Sequence, residues 1–333
     1  MPGIQSVVPD PIAFSVAGAE SMLAESDSES DPRVDRKADL TGAQWGLQTI
    51  QAPAAWNLGV TGKGVRVAVI DGGIMITHPD LVQNLNLMLS TSVVPGETVE
   101  FIPGGAAGNG SHATRVAGII AAADDGLGIT GVAPDAELVA IKIGSDRTYT
   151  TRASWIVEGI LYAAQIHADV ANLSVACAWP KTDPELTGTD VALSVAVRAA
   201  NFAQQQGTLL VAAAGNEAED WDGAGSVVFF PRDLPGVLGV SATAPKECWA
   251  LDPTVDLDWP APYTNYGQRV IDLAAPGGSN DPTLPSHFVT VSGATFRAFA
   301  FNMVLSSSTS IGPAGDFEKK GTWNMGAGTS LAA

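Results

Sequence analysis

Cysteine is nearly absent from this sequence: Cys177 and Cys248 are the 2 copies in 333 residues. Two thiols cannot build a disulfide framework or a four-thiolate zinc site. The expectation is two unpaired buried thiols, with a single bond between them as the alternative. Basic residues are also scarce, 17 Lys and Arg against 35 Asp and Glu, for a net charge of −18. So acidic a surface repels phosphate backbones, which removes nucleic acid from the expected partners. No run of about 18 uninterrupted apolar residues occurs, which argues against a membrane-spanning helix. The start, Met1-Pro2-Gly3, has no basic stretch ahead of an apolar run, so no secretory signal is legible there. The first strand runs into Asp71-Gly72-Gly73 and not G-x-G-x-x-G, which argues against dinucleotide binding. A His-Glu-x-x-His motif is missing too, and with it the usual zinc-peptidase site.

What is present is a globular composition, 46% hydrophobic and 16% charged, with 36 Gly and 21 Pro. Residues 1–40 stand apart. Glu25-Ser26-Asp27-Ser28-Glu29-Ser30-Asp31-Pro32 holds repelling charges and nothing to bury, which predicts a flexible acidic segment, a linker or a propeptide remnant. Residues 41–333 read as one domain. Apolar runs at Val65 to Ile70, Leu138 to Ile143, Val170 to Val175, Thr208 to Ala214, Val237 to Ala242 and Val270 to Ala274 predict strands covered on both faces. Between them, Ala153 to His167 sets Ala153, Ile156, Val157, Ile160, Leu161 and Ala164 on one helical stripe. Asp190 to Gln206 predicts a second helix, closed by Gly207. The alternation implies an α/β fold, with a mostly parallel central sheet and helices on both faces.

Ligands of such sheets bind at the carboxyl ends of the strands. Asp71 ends the first strand beside two glycines and is either turn chemistry or a buried acid that orients a histidine. Of the four histidines, His78 falls in a turn, His167 at a helix end and His287 in a loop. His112 opens a run of small residues, Ala113-Thr114-Arg115-Val116-Ala117-Gly118, that suits a tightly packed helix. Ser330, after Gly328-Thr329, is either a helix cap or a nucleophile at a helix start. A further strand ends in Gly215-Asn216, which aims an amide at the same crevice.

Taken together, these four segments resemble the subtilisin-like serine proteases, in the family order Asp, His, Asn, Ser. Supporting stretches do so too: Ala52-Pro53-Ala54-Ala55-Trp56, Gly62-Lys63-Gly64-Val65, His78-Pro79-Asp80-Leu81, Gly131-Val132-Ala133-Pro134 and Ala275-Pro276-Gly277. The resemblance implies a serine endopeptidase acting on proteins or peptides. Asp71 would orient His112, His112 would take the proton of Ser330, and Asn216 would donate to the oxyanion. It also implies that Ser174-Val175-Ala176 and Tyr149-Thr150-Thr151 flank an extended substrate, with Glu217 at the rim of the pocket for the residue before the scissile bond. Asp80 and Asp125 would hold a structural calcium ion. A secreted, monomeric enzyme is the corresponding expectation.

Several positions depart from the family pattern. Ala113 stands for a glycine of the histidine motif, Arg115 for its second histidine, and Ala176 for a glycine beside the substrate backbone. Thr41 stands where the family often places an amide ligand to calcium. About 50 residues separate Gly277 from Gly328, and His287 to Lys320 is expected to be an inserted hairpin or loop. The chain ends 3 residues after Ser330, where the family has a long buried helix. Too few residues remain to nucleate one. The expectation is therefore a peptidase domain missing that helix, a frayed Ser330 and little activity. A peptide-binding protein of this fold without hydrolysis is the alternative, and the intact set of Asp71, His112, Asn216 and Ser330 argues against it.

Overall fold

The computed structural model describes residues 12–14, 21–22, 38–103, 111–180, 189–223, 225–311 and 319–333. Residues 23–37, the bulk of the expected acidic segment, lie outside the described residues.

The central sheet has eight strands. Its order is Trp259–Pro260, Val237–Ala244, Leu209–Ala213, Val170–Leu173, Arg66–Asp71, Glu137–Lys142 and Thr91–Ser92, with Leu273–Pro276 also beside Val237–Ala244. Every pairing is parallel except that of Trp259–Pro260. The continuous apolar runs follow from two-sided burial. Val67, Val69, Leu138 and Ala140 face one layer, with the helix His112–Ala121 packed on it. Ala68, Ile70, Val139 and Ile141 face the other, under the helices Ala153–Gln165 and Thr189–Gln205. Each wholly buried Ile or Leu there contributes about 1.5–3 kcal/mol relative to exposure. Gly159 sits where the first of those helices touches the sheet, and a Cβ there would come within 2.9 Å of Ile70.

One strand differs from expectation. Val270 to Ala274 gives way to Leu273–Pro276, because the Asp222 carboxylate accepts the backbone N–H groups of Gln268 and Arg269, each at 2.8 Å, and holds that segment as a turn. The stretch His287 to Lys320 is more than one loop. It forms a hairpin, Phe288–Val291 with Ala294–Arg297, then begins a second, Val304–Ile311 with Lys319–Ala327. These cover a separate apolar core of Leu40, Trp45, Trp249, Phe301, Trp323 and Met325.

Two short strands of the N-terminal region join the domain. Ile12–Phe14 pairs antiparallel with Thr150–Arg152, and Ser21–Met22 with Gly326–Ala327. Among the described residues no helix is long and apolar enough to cross a membrane. Cys248 is buried and carries a free thiol.

Candidate active site

Asp71 is the last residue of the strand Arg66–Asp71 and is buried. Its carboxylate accepts from His112 Nδ1, at 2.8 Å to Oδ1 and 2.7 Å to Oδ2, and from the Gly72 N–H. A carboxylate accepts, so in this pair His112 donates through Nδ1–H.

Local chemistry places His112 there. Ser111 is the N-cap of its helix, and its hydroxyl accepts the Thr114 N–H at 3.0 Å and donates to the Gly73 carbonyl at 2.6 Å. Thr114 returns the tie by accepting the Met75 N–H at 2.9 Å. The helix start is therefore fastened to the turn that follows Asp71. Ala113, the departure from the family glycine, is buried without displacing this arrangement.

Asn216 and Ser330 are tied to one another through Thr329. Asn216 follows the strand Leu209–Ala213, and its Oδ1 accepts both the Thr329 N–H and the Thr329 hydroxyl at 2.9 Å. Oδ1 is thus committed to Thr329, and Nδ2 is buried with no acceptor. A buried donor left unpaired costs about 1–3 kcal/mol, so the fold maintains it at a cost.

Ser330 lies on a 3₁₀ turn, Thr329–Leu331. It is not frayed. The residue is wholly buried, and its carbonyl accepts the Ser174 hydroxyl at 2.8 Å. Its own hydroxyl donates to the Ser174 carbonyl at 3.4 Å, a long and weak bond, and makes no hydrogen bond to His112. Ser174 thus acts through its side chain as well as its backbone.

One cavity is lined by Asp71, His112, Tyr149, Thr150, Thr151 and Val175. Asp71, His112 and the expected substrate flanks share it. Ala176 is buried beside Phe229 and Trp221. Glu217 is exposed, with its carboxylate accepting from Asn265 Nδ2 at 2.5 Å. Asn265 is a residue that sequence reasoning missed. Wholly buried, it also donates to the Ala214 carbonyl and accepts the N–H groups of Glu217 and Glu219, which fixes the loop carrying Asn216. Nothing local in Thr264-Asn265-Tyr266 signals that role.

A second missed group lies behind Gly73. Lys142 is wholly buried, with Nζ at 2.8 Å from Glu97 and 2.6 Å from Asp146. Asp146 in turn accepts the Gly73 N–H at 3.2 Å and the Ile102 N–H at 2.9 Å. Burial pulls the Glu97 carboxyl upward, but hydrogen bonds from Lys142 and Ser145 outweigh it and hold the group below its ordinary value.

Asp80 and Asp125 are placed differently from each other. Asp80 is buried and accepts from Trp323 Nε1 at 2.6 Å and the Ser307 hydroxyl at 2.9 Å. Burial pushes its carboxyl up to about 6, against these donors. Asp125 is exposed, with Oδ1 accepting the Leu127 N–H at 3.1 Å.

Residues 62–333 match the Subtilase family. An alkaline protease of Alkalihalobacillus alcalophilus is 36% identical over 273 residues, covering 80% of this chain and 61% of that protein. Subtilisin Savinase of Lederbergia lenta is 37% identical over 250 residues, covering 75% and 77%. The chain thus spans 61% of the length of the first of these relatives. Among solved structures, a lanthipeptide protease superposes with a TM-score of 0.63 at 22% identity, over 98% of this chain and 81% of its own. The epidermin leader peptide processing serine protease of Staphylococcus aureus does so at 0.63 and 22%, over 91% and 71%. At that identity the structural likeness supports the fold alone.

Proposed function

This chain belongs to the subtilase family, and from that premise we propose that it is a serine endopeptidase with Ser330 as nucleophile. The observation that carries the reading is the buried, unpaired Nδ2 of Asn216, whose Oδ1 holds Thr329 next to Ser330, on a fold that also holds an Asp71–His112 pair. In this reading His112 Nε2 takes the Ser330 hydroxyl proton as Oγ bonds to the scissile carbonyl carbon. The carbonyl oxygen becomes an oxyanion that accepts from Asn216 Nδ2 and the Ser330 N–H. Asp71 stabilises the imidazolium. Collapse breaks the C–N bond, the proton passes to the leaving amine, and water cleaves the acyl-enzyme by the same steps.

An extended polypeptide would lie between the edges of Thr150–Arg152 and Ser174 to Ala176, bound chiefly through its backbone. The antiparallel pairing of Ile12–Phe14 with Thr150–Arg152 supports this, because that edge already takes an extended strand. Glu217 at the rim favours a basic side chain in the adjoining pocket. Secretion and a monomeric state are part of the same proposal, in keeping with the net charge of −18.

The test is covalent capture of Ser330 by a fluorophosphonate, with Ser330→Ala as control. A Ser330 adduct supports the reading, and labelling that ignores the substitution refutes it.

A further inference from the structure

The family resemblance implies a calcium ion at Asp80, yet the surroundings of that carboxylate do not fit one. Calcium takes about 6–8 oxygen ligands at 2.3–2.6 Å. Here hydrogen-bond donors converge instead. Trp323 Nε1–H and the Ser307 hydroxyl both point at Asp80 Oδ2, and the Ile129 backbone N–H donates to the same carboxylate. A cation within coordination distance of Oδ2 would face the hydrogens of Trp323 and Ser307. On the other side the Gly128 backbone presses so close that a Cβ would lie 2.4 Å from Oδ1 and 2.6 Å from the Trp323 nitrogen. The Thr41 hydroxyl, at the position of the family's amide ligand, is bonded to the Thr130 hydroxyl at 2.8 Å. Among the described residues no cluster of three His, Cys, Asp or Glu side chains is arranged to hold a metal.

Both donor side chains come from the same hairpin, Val304–Ile311 with Lys319–Ala327, which begins within the stretch that lengthens this chain relative to the family. The hairpin grips the whole turn. The Thr322 carbonyl is 2.9 Å from His78 Nε2, and the Trp323 ring meets the His78 ring edge to face at 5.8 Å. Its first strand also runs along the helix that begins with His112. The Ser306 hydroxyl donates to the Arg115 carbonyl at 2.7 Å, and Thr309 Oγ1 accepts the Ser111 N–H at 3.0 Å. Ser307 lies against Gly118, where a Cβ would meet its hydroxyl at 2.6 Å.

We infer that the paired strands Val304–Ile311 and Lys319–Ala327 replace the calcium ion, with Ser307 and Trp323 pinning Asp80 and the strand of Ser307 seating the helix of His112. A metal draws oxygens inward. This clamp instead satisfies the Asp80 carboxylate with protein hydrogens, which chelators cannot remove. The inference concerns folding and holds whether or not Ser330 cleaves peptides.

The test is thermal unfolding of the full chain in excess chelator and in millimolar calcium, with terbium luminescence sensitised by tryptophan as a direct binding probe. The wild type should unfold at the same temperature in both, and terbium should give no saturable signal that depends on Asp80. Trp323→Phe keeps the aromatic bulk and removes the donor. It should lower Tm by roughly 3–6 °C in both conditions, and Ser307→Ala should lower it by less. If Trp323→Phe does not fold, Ser307→Ala carries the comparison. A calcium-dependent rise in Tm, or a terbium signal, that Asp80→Asn abolishes would overturn the inference. So would Tm values for Trp323→Phe and Ser307→Ala equal to the wild type. A rise that survives Asp80→Asn comes from elsewhere and leaves the clamp standing.

Discussion

Replacing Lys142 by Met should be among the most damaging single changes to the wall behind the active site. The side chains of Lys142, Glu97 and Asp146 are 0%, 4% and 5% exposed, so Lys142→Met would leave two carboxylates buried without their cation. Removing one partner of a buried ion pair costs about 3–5 kcal/mol. For a domain of this size that lowers Tm by roughly 10 °C at pH 7. The pH dependence has a definite sign. Glu97 is held below its ordinary value in the folded state, so its contribution is present above the unfolded value and is lost as pH falls through the folded one. In the variant that contribution is gone, and acidification protonates carboxylates that are then better neutral. The gap between wild type and Lys142→Met should therefore narrow from pH 7 to pH 4. Adding Glu97→Gln should recover part of the loss, because it removes one of the two stranded charges. Circular dichroism melts at the two pH values measure all of this. A variant within about 2 °C of wild type at pH 7, or a gap that widens in acid, would refute the reasoning.

Two further outcomes follow from the site. On the proposed mechanism Asn216→Ala removes the oxyanion donor and should lower kcat by about 10²–10³, a magnitude established for subtilisin and carried over here; because Nδ2 makes no hydrogen bond in the fold, Asn216→Asp with similar loss of rate and near-native Tm would separate donation from stability. An extended peptide must displace Ile12–Phe14 from Thr150–Arg152, so a chain lacking residues 1–37 should show a lower KM for peptides at little changed kcat, and an unchanged KM would argue that this pairing does not occlude the substrate edge.

The parallel sheet was legible because burial on both faces leaves a one-dimensional mark, an unbroken apolar run. Val67 and Ala68 face opposite layers, and neither can be polar. Asp71, His112, Asn216 and Ser330 were singled out through short motifs, and the structure sets each at or just after the end of a strand or the start of a helix or turn. The start of the His112 helix is an N-cap by Ser111, which accepts the Thr114 N–H, and sequence reasoning did not single it out. What else escaped notice depends on distant partners. Asn265 meets residues 46 to 51 positions away, and Trp323 meets Asp80 across 243. No window of sequence contains either contact. The strand expected at Val270 failed for a similar reason, since the turn that displaces it is held by Asp222. Asp80 shows the limit of motif reading: the His-Pro-Asp-Leu segment resembles the family's, while the groups packed around its carboxylate come from a hairpin far along the chain.

The central claim, that Ser330 is a nucleophile activated by this site, is tested most directly by intact-protein mass after exposure to a fluorophosphonate. The protein should gain one adduct, located on the Ser330 peptide, and the adduct should vanish in Ser330→Ala and slow sharply in His112→Ala. A folded protein that gains no mass, or one that labels equally when Ser330 is replaced by alanine, would contradict the account.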